Sequence, residues 1–164
     1  KAMFLSSNWN LVDEGRLSYE EIEQIFVDSC PAYADDIRLV FAHFGDCITR
    51  FPYTRHWISS LKQQGYQVYY LSNYGDFTCQ YTRKDLDFCD LMDGGVMSYE
   101  VKCLKPDPVI YQNLFEKYHL KPEECVFIDD NAANIDAAKK LWMKTILFQD
   151  YFQAQKQLNV LCNK

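Results

Sequence analysis

The chain has 164 residues, of which 48% are apolar and 16% aromatic, and its 17 Lys and Arg against 23 Asp and Glu give a net charge of −6. This length suits one domain, or a domain with a small appendage, and the apolar share excludes a disordered chain. The acidic balance argues against a nucleic-acid partner, because binding a phosphate backbone requires a clustered positive field. No apolar run approaches the ~18 residues needed to cross a bilayer, so we expect no membrane partner.

Seven cysteines are scattered along the chain without a Cys-x-x-C motif or a nearby pair of histidines. A disulfide framework favours an even number in a small secreted domain, and a zinc site needs closely spaced ligands. We therefore expect reduced thiols and a cytoplasmic protein. The cysteines are Cys30, Cys47, Cys79, Cys89, Cys103, Cys125 and Cys162.

In the first half of the chain, the predicted secondary structure changes after about 50 residues from helices alone to helices and strands. Up to that point strand patterns are missing, and the sequence predicts short helices. Ser18 and Glu21 form a capping-box pattern at the start of one of them. A further helix around Trp57 ends at Gly65, and the apolar run Val68–Leu71 is predicted to be a strand that leads into a polar turn.

The second half alternates short strands with helices of about ten residues. This alternation is typical of an α/β fold, a doubly wound parallel sheet, in which the chemistry lies at the carboxyl ends of the strands. Pro108 is predicted to open a helix, as proline can at the first helical position. The other predicted elements are a weak strand at Leu91–Met97, a strand at Val126–Ile128, a helix at Ala132–Leu141, a strand at Thr145–Phe148 and a final helix at about 150–161.

Polar residues follow the two most apolar strands. Ser72 and Asn73 follow the first, and Asp129 and Asp130 follow the other. Adjacent carboxylates at the end of a buried strand repel each other, and a hard cation with oxygen ligands, Mg²⁺, relieves that repulsion. The Ser72 hydroxyl suits phosphate oxygens, and Lys105, in a turn stiffened by prolines, offers positive charge to a transferring phosphoryl group. Singly, each feature is explained as well by a helix cap or a solvated loop; together they favour a functional site.

The order of these groups along the chain distinguishes two classes of protein. Phospho-receiver domains also combine an acidic pair, a hydroxyl and a lysine, but in that order. Here the order is Ser72, Lys105 and then the acidic pair, which excludes a receiver domain. The three segments instead resemble the second, third and fourth motifs of the haloacid dehalogenase superfamily. These segments are residues 69–73, 98–111 and 126–135.

The resemblance implies a role for each matching residue. Ser72 would bind the transferring phosphoryl group with support from Asn73, and Lys105 would neutralise the nucleophile and the phosphoryl oxygens. Asp129 and Asp130 would hold Mg²⁺, directly or through water. In the same motif, a supporting role that ties the turn together is implied for one further residue, Asn134.

In their amino-acid sequence, the motifs are most similar to those of the phosphatase branch with a small helical cap, which includes sugar-phosphate phosphatases. That branch implies a cap at residues 1–51 and an α/β core at residues 52–164. Its first motif, an Asp-x-Asp that carries the nucleophile and the general acid/base, has no counterpart here, since the only Asp-x-Asp, Asp85–Asp87, is predicted to lie in a solvated loop. We therefore expect the parent protein to carry an N-terminal segment that supplies this motif and the central strand of the sheet.

The resulting expectation is a Mg²⁺-dependent phosphatase that hydrolyses a small phosphorylated metabolite through an aspartyl-phosphate. A phosphomutase shares every residue named above, and only analysis of its products separates the two. A 2-haloacid dehalogenase shares the fold without the metal, and the acidic pair speaks against it. The last alternative is a non-catalytic binding module that lacks the nucleophile. Arg50 and Arg55 are predicted to be solvated charges rather than substrate ligands.

Overall fold

The computed structural model describes residues 8–46 and 48–162. The predicted start of the cap and one cysteine, Cys47, lie outside these ranges. The chain divides into two compact units, residues 1–104 and residues 105–164, which are taken in turn below. The division into a cap at residues 1–51 and a core at residues 52–164 stays a prediction.

The described part of the first unit contains six α-helices and one pair of strands, joined in places by short 3₁₀ turns. The helical character expected of the first part of the chain is confirmed for residues 8–46, and the strands follow after residue 68. The elements are α1 (Trp9–Glu14), α2 (Tyr19–Ser29), α3 (Ala34–Ala42), α4 (Thr54–Gln63), β1 (Tyr69–Ser72), α5 (Asp76–Tyr81), β2 (Gly94–Met97) and α6 (Ser98–Val101).

Aromatic side chains dominate the core of the first unit. Phe41 is fully buried and contacts Tyr19 edge-on, with ring centroids 5.5 Å apart, while Phe26 and Phe77 lie 5.7 and 6.3 Å from it. Such contacts add to the free energy gained by removing large apolar surfaces from water. The buried residues of this cluster are Val12, Ile22, Phe26, Val27, Ile37, Phe41, Phe44 and Phe77.

Local sequence signals determine where the elements of this unit begin and pair. The capping box predicted at Ser18 and Glu21 is present, with the Ser18 hydroxyl accepting from the Glu21 backbone and the Glu21 carboxylate accepting from the Ser18 backbone. The strands β1 and β2 are parallel, and Tyr70 stands opposite Gly95. A Cβ on Gly95 would collide with the Tyr70 ring, so only glycine allows this close pairing.

The second unit begins at Lys105 and alternates helices with strands, as predicted. Asp107 caps its first helix by accepting from the Val109 backbone, and Pro108 occupies the first helical position. Its two strands are parallel, with Val126 opposite Lys144 at the start of the ladder. The elements are α7 (Pro108–Tyr118), β3 (Val126–Asp129), α8 (Ala132–Lys140), β4 (Lys144–Leu147) and α9 (Tyr151–Cys162).

The α/β class is confirmed, with helices and short parallel strand pairs in both units. The strand predicted at Leu91–Met97 is shorter, because Leu91 ends a 3₁₀ turn and Met92 and Asp93 lie in a bend. Within the described ranges, no helix is both long and apolar enough to cross a membrane. The six cysteines described by the structure are all free thiols.

Candidate active site

A buried ion pair lies at the carboxyl end of β3. Asp129 is the last residue of the strand, and its Oδ2 atom lies 2.7 Å from Nζ of Lys105. The two side chains are only 6% and 10% exposed. At this depth the carboxylate and the ammonium stabilise each other, because removing either one would leave an uncompensated charge in a poorly hydrated environment.

The second carboxylate oxygen of Asp129 is held by the turn that follows the strand. Its Oδ1 atom accepts from the Asn131 backbone N–H at 2.8 Å and from Nδ2 of Asn134 at 3.0 Å. Asn131 also caps α8, where its side chain accepts from the backbone of Ala133. The turn between β3 and α8 therefore fixes the direction in which the Asp129 carboxylate points.

Tyr111 extends this network and was not foreseen as part of it. Tyr111 lies in the first turn and a half of α7, and its hydroxyl donates to the backbone carbonyl of Asn134 at 3.0 Å. Tyr111 is fully buried and packs edge-on against Phe127, with ring centroids 5.4 Å apart. Burial, and secondarily the charge of Asp129, raises the pKa of this phenol, so the hydroxyl stays protonated as a donor.

The donor set at this end of β3 fits a hard cation. Asp129 is buried, whereas the neighbouring Asp130 is exposed, so two carboxylates of different accessibility stand side by side. Mg²⁺ keeps several waters and needs only one or two protein carboxylates beside a substrate phosphate. Within residues 8–46 and 48–162 there is no group of three His, Cys, Asp or Glu suited to a metal ion. Oδ1 of Asn134 is a buried acceptor without a hydrogen-bond partner, which adds a further polar atom to the surroundings of Asp129.

The predicted phosphate ligands lie in the first unit. Ser72 ends β1 and Asn73 begins the turn that follows, and both are half-buried. The Ser72 hydroxyl makes no hydrogen bond with any described residue. The next residue of the turn, Tyr74, donates its backbone N–H to the buried hydroxyl of Ser98 at 2.8 Å, which anchors the turn. The structure thus brings Lys105, Asp129 and Asn134 together in the second unit and places Ser72 and Asn73 in the other.

The only Asp-x-Asp sequence is confirmed to lie away from any strand end. Asp85 and Asp87 belong to 3₁₀ turns, and Asp87 forms ion pairs with both Arg50 and Arg55. Hydrogen bonding to Arg50 lowers the pKa of the Asp87 carboxyl. Both arginines stay partly exposed, but each also pairs with a carboxylate more than 30 residues away, a contact that the sequence did not predict.

Comparison with known proteins supplies a family for this architecture. A family model described as haloacid dehalogenase-like hydrolase matches residues 7–141. The D-ribitol-5-phosphate phosphatase of Bacteroides thetaiotaomicron is 29% identical over 110 residues, which cover 62% of this chain and 52% of that protein. The (S)-2-haloacid dehalogenase 4A of Burkholderia cepacia is 29% identical over 99 residues, or 60% of this chain and 43% of that one.

Solved structures show the same fold. The crystal structure of a HAD family enzyme from Bacteroides thetaiotaomicron, in complex with magnesium and inorganic phosphate, superposes with a TM-score of 0.71 at 22% identity. The match covers 92% of this chain and 80% of that chain. The chain spans about half, or less, of the length of the curated relatives it matches.

Proposed function

The chain belongs to the haloacid dehalogenase-like hydrolase family, and on that basis we propose that the whole protein is a Mg²⁺-dependent phosphatase. Its substrate would be a small phosphorylated metabolite, of which a sugar or sugar-alcohol phosphate is the class suggested by the matched relative that dephosphorylates D-ribitol 5-phosphate. Four matching residues would carry the chemistry: Lys105, Asp129 and Asp130 around the metal and Ser72 on the phosphoryl group.

The buried pair of Lys105 and Asp129 is the observation that carries the proposal. A phosphoryl group in transfer spreads negative charge over its equatorial oxygens, and a fixed cation nearby stabilises that charge without reorganising. The Lys105 ammonium is held 2.7 Å from Asp129 and 5.6 Å from the centre of the Phe127 ring, so its position is already defined. A solvated lysine would first have to be ordered.

The carboxylates would hold the metal, with Asp130 as the solvent-facing ligand and Asp129 as the inner one. When bound, Mg²⁺ supplies positive charge that offsets the anionic phosphoryl oxygens and the nucleophile. The chain prepares this place by fixing Asp129 from three sides, through Lys105, Asn131 and Asn134. Because these hydrogen bonds orient the carboxylate, its lone pairs are presented in one direction rather than in many.

The single Asp-x-Asp of the sequence, Asp85–Asp87, lies in 3₁₀ turns, so the covalent step would use a different aspartate as its nucleophile. Its carboxylate would attack phosphorus as the bond to the ester oxygen breaks, and the departing alcohol would take a proton from the general acid that the family's first motif pairs with the nucleophile. Water would then hydrolyse the aspartyl-phosphate and release inorganic phosphate. Ser72, with support from Asn73, would hold the phosphoryl oxygens through its hydroxyl, which has no competing partner among the described residues.

A dehalogenase is the second candidate, since the chain is also similar to (S)-2-haloacid dehalogenase 4A over 60% of its length. The acidic pair of Asp129 and the exposed Asp130 favours the phosphatase, because the metal-free dehalogenase reaction does not require two adjacent carboxylates. A phosphomutase would use the same residues, and it differs only in returning the phosphoryl group to a sugar rather than to water.

A panel of small phosphate esters, incubated with the protein expressed from its complete coding region, tests the proposal. We expect release of inorganic phosphate that stops on addition of a chelator and returns with Mg²⁺. Removing a fixed charge-stabilising group costs about 10²–10³ in rate, so K105A and D130N should each lose at least that much.

Matched controls keep this test specific. Lys121 pairs with Glu124 on the surface before β3, and Asp136 lies exposed on α8, so K121A and D136N should retain full activity. Halide release from a 2-haloacid without phosphate release would establish the dehalogenase instead. An isomerised sugar phosphate as the product would establish the mutase. Activity that survives both chelation and K105A would contradict the proposed mechanism.

A further inference from the structure

The turn between α8 and β4 holds a bulky residue in a conformation that favours glycine. Trp142 has φ +69°, in the left-handed region, where its backbone N–H donates to the Lys139 carbonyl at 3.0 Å. The next N–H, of Met143, donates to the Ala138 carbonyl at 3.2 Å, which completes the helix end. A large side chain is strained there, and such strain points to a function that requires the side chain.

Burial of the indole does not offset this backbone strain, because the Trp142 side chain lies on the surface. It is 82% exposed, and Phe152 and Val160 follow at 77% and 72%, so the three most exposed large apolar side chains of the described chain lie in this one segment. Phe152 and Val160 stand on one face of α9 with Lys156 midway between them, at intervals of four residues. The Phe152 ring also contacts the neighbouring Tyr151 ring edge-on, with centroids 5.3 Å apart.

The charge around these side chains is opposite in sign to that of the chain. From Ala137 to Cys162 there are four lysines and a single aspartate, in a protein of net charge −6. Lys139, Lys140 and Lys144 flank Trp142 and are exposed. Among the residues described, Lys139 pairs with Asp136, while Lys140 and Lys144 form no ion pair, so their charges remain available.

We propose that the Trp142 turn and the exposed face of α9 form a surface that docks on an anionic lipid bilayer. Tryptophan suits the headgroup level because its ring is apolar and its N–H is polar, and each lysine near an anionic membrane adds attraction. Fluid headgroups accept single protruding side chains without a matching groove, whereas a protein partner would need shape complementarity. Surface docking requires no spanning helix, so it differs from the kind of membrane partner that the apolar runs exclude.

Sedimentation with vesicles tests this surface directly on the whole protein. Equal mixtures of phosphatidylcholine and phosphatidylserine should bind the protein, and phosphatidylcholine alone should not. Binding should weaken when salt is raised from about 0.1 M to 1 M, because the screening length falls from ~10 Å to ~3 Å. W142G should bind at least about tenfold more weakly while folding well, since glycine adopts this φ without strain. The charge reversal K140E/K144E should weaken binding by a similar factor.

Two controls distinguish docking through this surface from nonspecific adsorption of the protein to vesicles. Tyr33 is another exposed aromatic, at 62%, but it lies beside Asp35 and Asp36, so Y33A should bind vesicles as the wild type does. Tryptophan emission should shift to the blue on the mixed vesicles, and W142F, which retains Trp9 and Trp57, should abolish that shift. Failure of the wild type to bind the mixed vesicles, or full binding by W142G, would overturn the proposal. Self-association or binding to an acidic polypeptide through Trp142, without vesicle binding, would assign the surface to a protein partner instead.

Discussion

Two regions of this molecule are stabilised in different ways. The core of the first unit is a cluster of aromatic and aliphatic side chains in which each ring has several neighbours, as Phe41 does with Tyr19, Phe26 and Phe77. The end of β3 in the second unit is instead stabilised by individual polar contacts, in which Lys105 and Asn134 each donate to the Asp129 carboxylate. Apolar packing is non-directional and distributed over many contacts, whereas each polar contact depends on one partner.

This difference predicts how the loss of folding free energy on substitution should vary between the two regions. In the aromatic cluster the cost should follow the volume removed, since every neighbour loses a share of contact. In the polar network a change of one atom leaves a buried group without its partner, and the cost follows burial rather than size. Four substitutions test this contrast, from the largest effect to the smallest.

Replacing Phe41 with alanine should destabilise the protein by about 4 kcal/mol, because it removes a fully buried ring and leaves a cavity. Urea unfolding followed by circular dichroism measures the change. Leu39 on the same helix is exposed, so L39A should cost below about 0.5 kcal/mol. A loss of equal size in both variants would show that the helix, and not the buried ring, carries the stability.

Replacing Lys105 with methionine should cost about 3 kcal/mol, because it strands the Asp129 carboxylate in a buried place. The double variant K105M/D129N should recover part of that loss, since it removes the stranded charge. The same unfolding measurement on K121M, which breaks an exposed pair, should show a much smaller loss, because an exposed ion pair contributes little to stability. If the double variant were as unstable as the two single losses added together, the two groups would not be coupled.

Replacing Ser98 with alanine should cost about 2 kcal/mol, because its buried hydroxyl donates to the Asp13 carbonyl at 2.5 Å and accepts from the Tyr74 N–H. This polar contact lies in the first unit, so it tests whether burial or location decides the cost. S59A, at a half-buried serine of α4, is the matched control and should be nearly neutral. A neutral S98A would refute the claim that burial sets the cost.

Replacing Asp93 with asparagine should cost at most about 1 kcal/mol at neutral pH, because its ion pair with Lys62 is partly exposed. Hydrogen bonds from Lys62 and from the Val68 backbone lower the pKa of the Asp93 carboxyl. A lowered pKa in the folded state stabilises the protein above the ordinary value of 3.8, and that contribution disappears as the pH falls through the folded-state pKa. The difference between wild type and D93N should therefore shrink below about pH 4.

The matched variant K62M should show a smaller loss than D93N with the same pH trend, since the Val68 N–H still donates to the carboxylate. Thermal unfolding at a series of pH values measures both. A difference between wild type and D93N that is constant down to pH 3 would contradict the assigned cause of the pKa shift.

Local patterns in the sequence were sufficient for most of the fold. The capping box at Ser18, the proline that starts α7 and the apolar run of β3 each act within a few residues, so the chain can be analysed one segment at a time. The strand predicted at Leu91–Met97 exists but begins only at Gly94, because the apolar Leu91 and Met92 belong to the turn and bend before it.

The partners of the site residues could not be predicted in the same way. The residues Lys105 and Asp129 were named from their positions at strand ends and turns, but their direct contact depends on how α7 and β3 pack. No role was predicted for Tyr111, because only the packing of α7 on α8 brings its hydroxyl to Asn134. A tyrosine on the inner face of a helix that directly follows a site lysine is the signal that could have identified it.

Calorimetric titration of Mg²⁺ into the whole protein, with inorganic phosphate present, tests most directly whether the carboxyl end of β3 is a metal and phosphoryl site. The account predicts saturable binding by the wild type and by D136N, and binding at least about tenfold weaker in D130N. D130N and D136N each remove one exposed carboxylate within the same short segment, so net charge cannot explain a difference between them. Equal Mg²⁺ binding by D130N and the wild type would contradict the account.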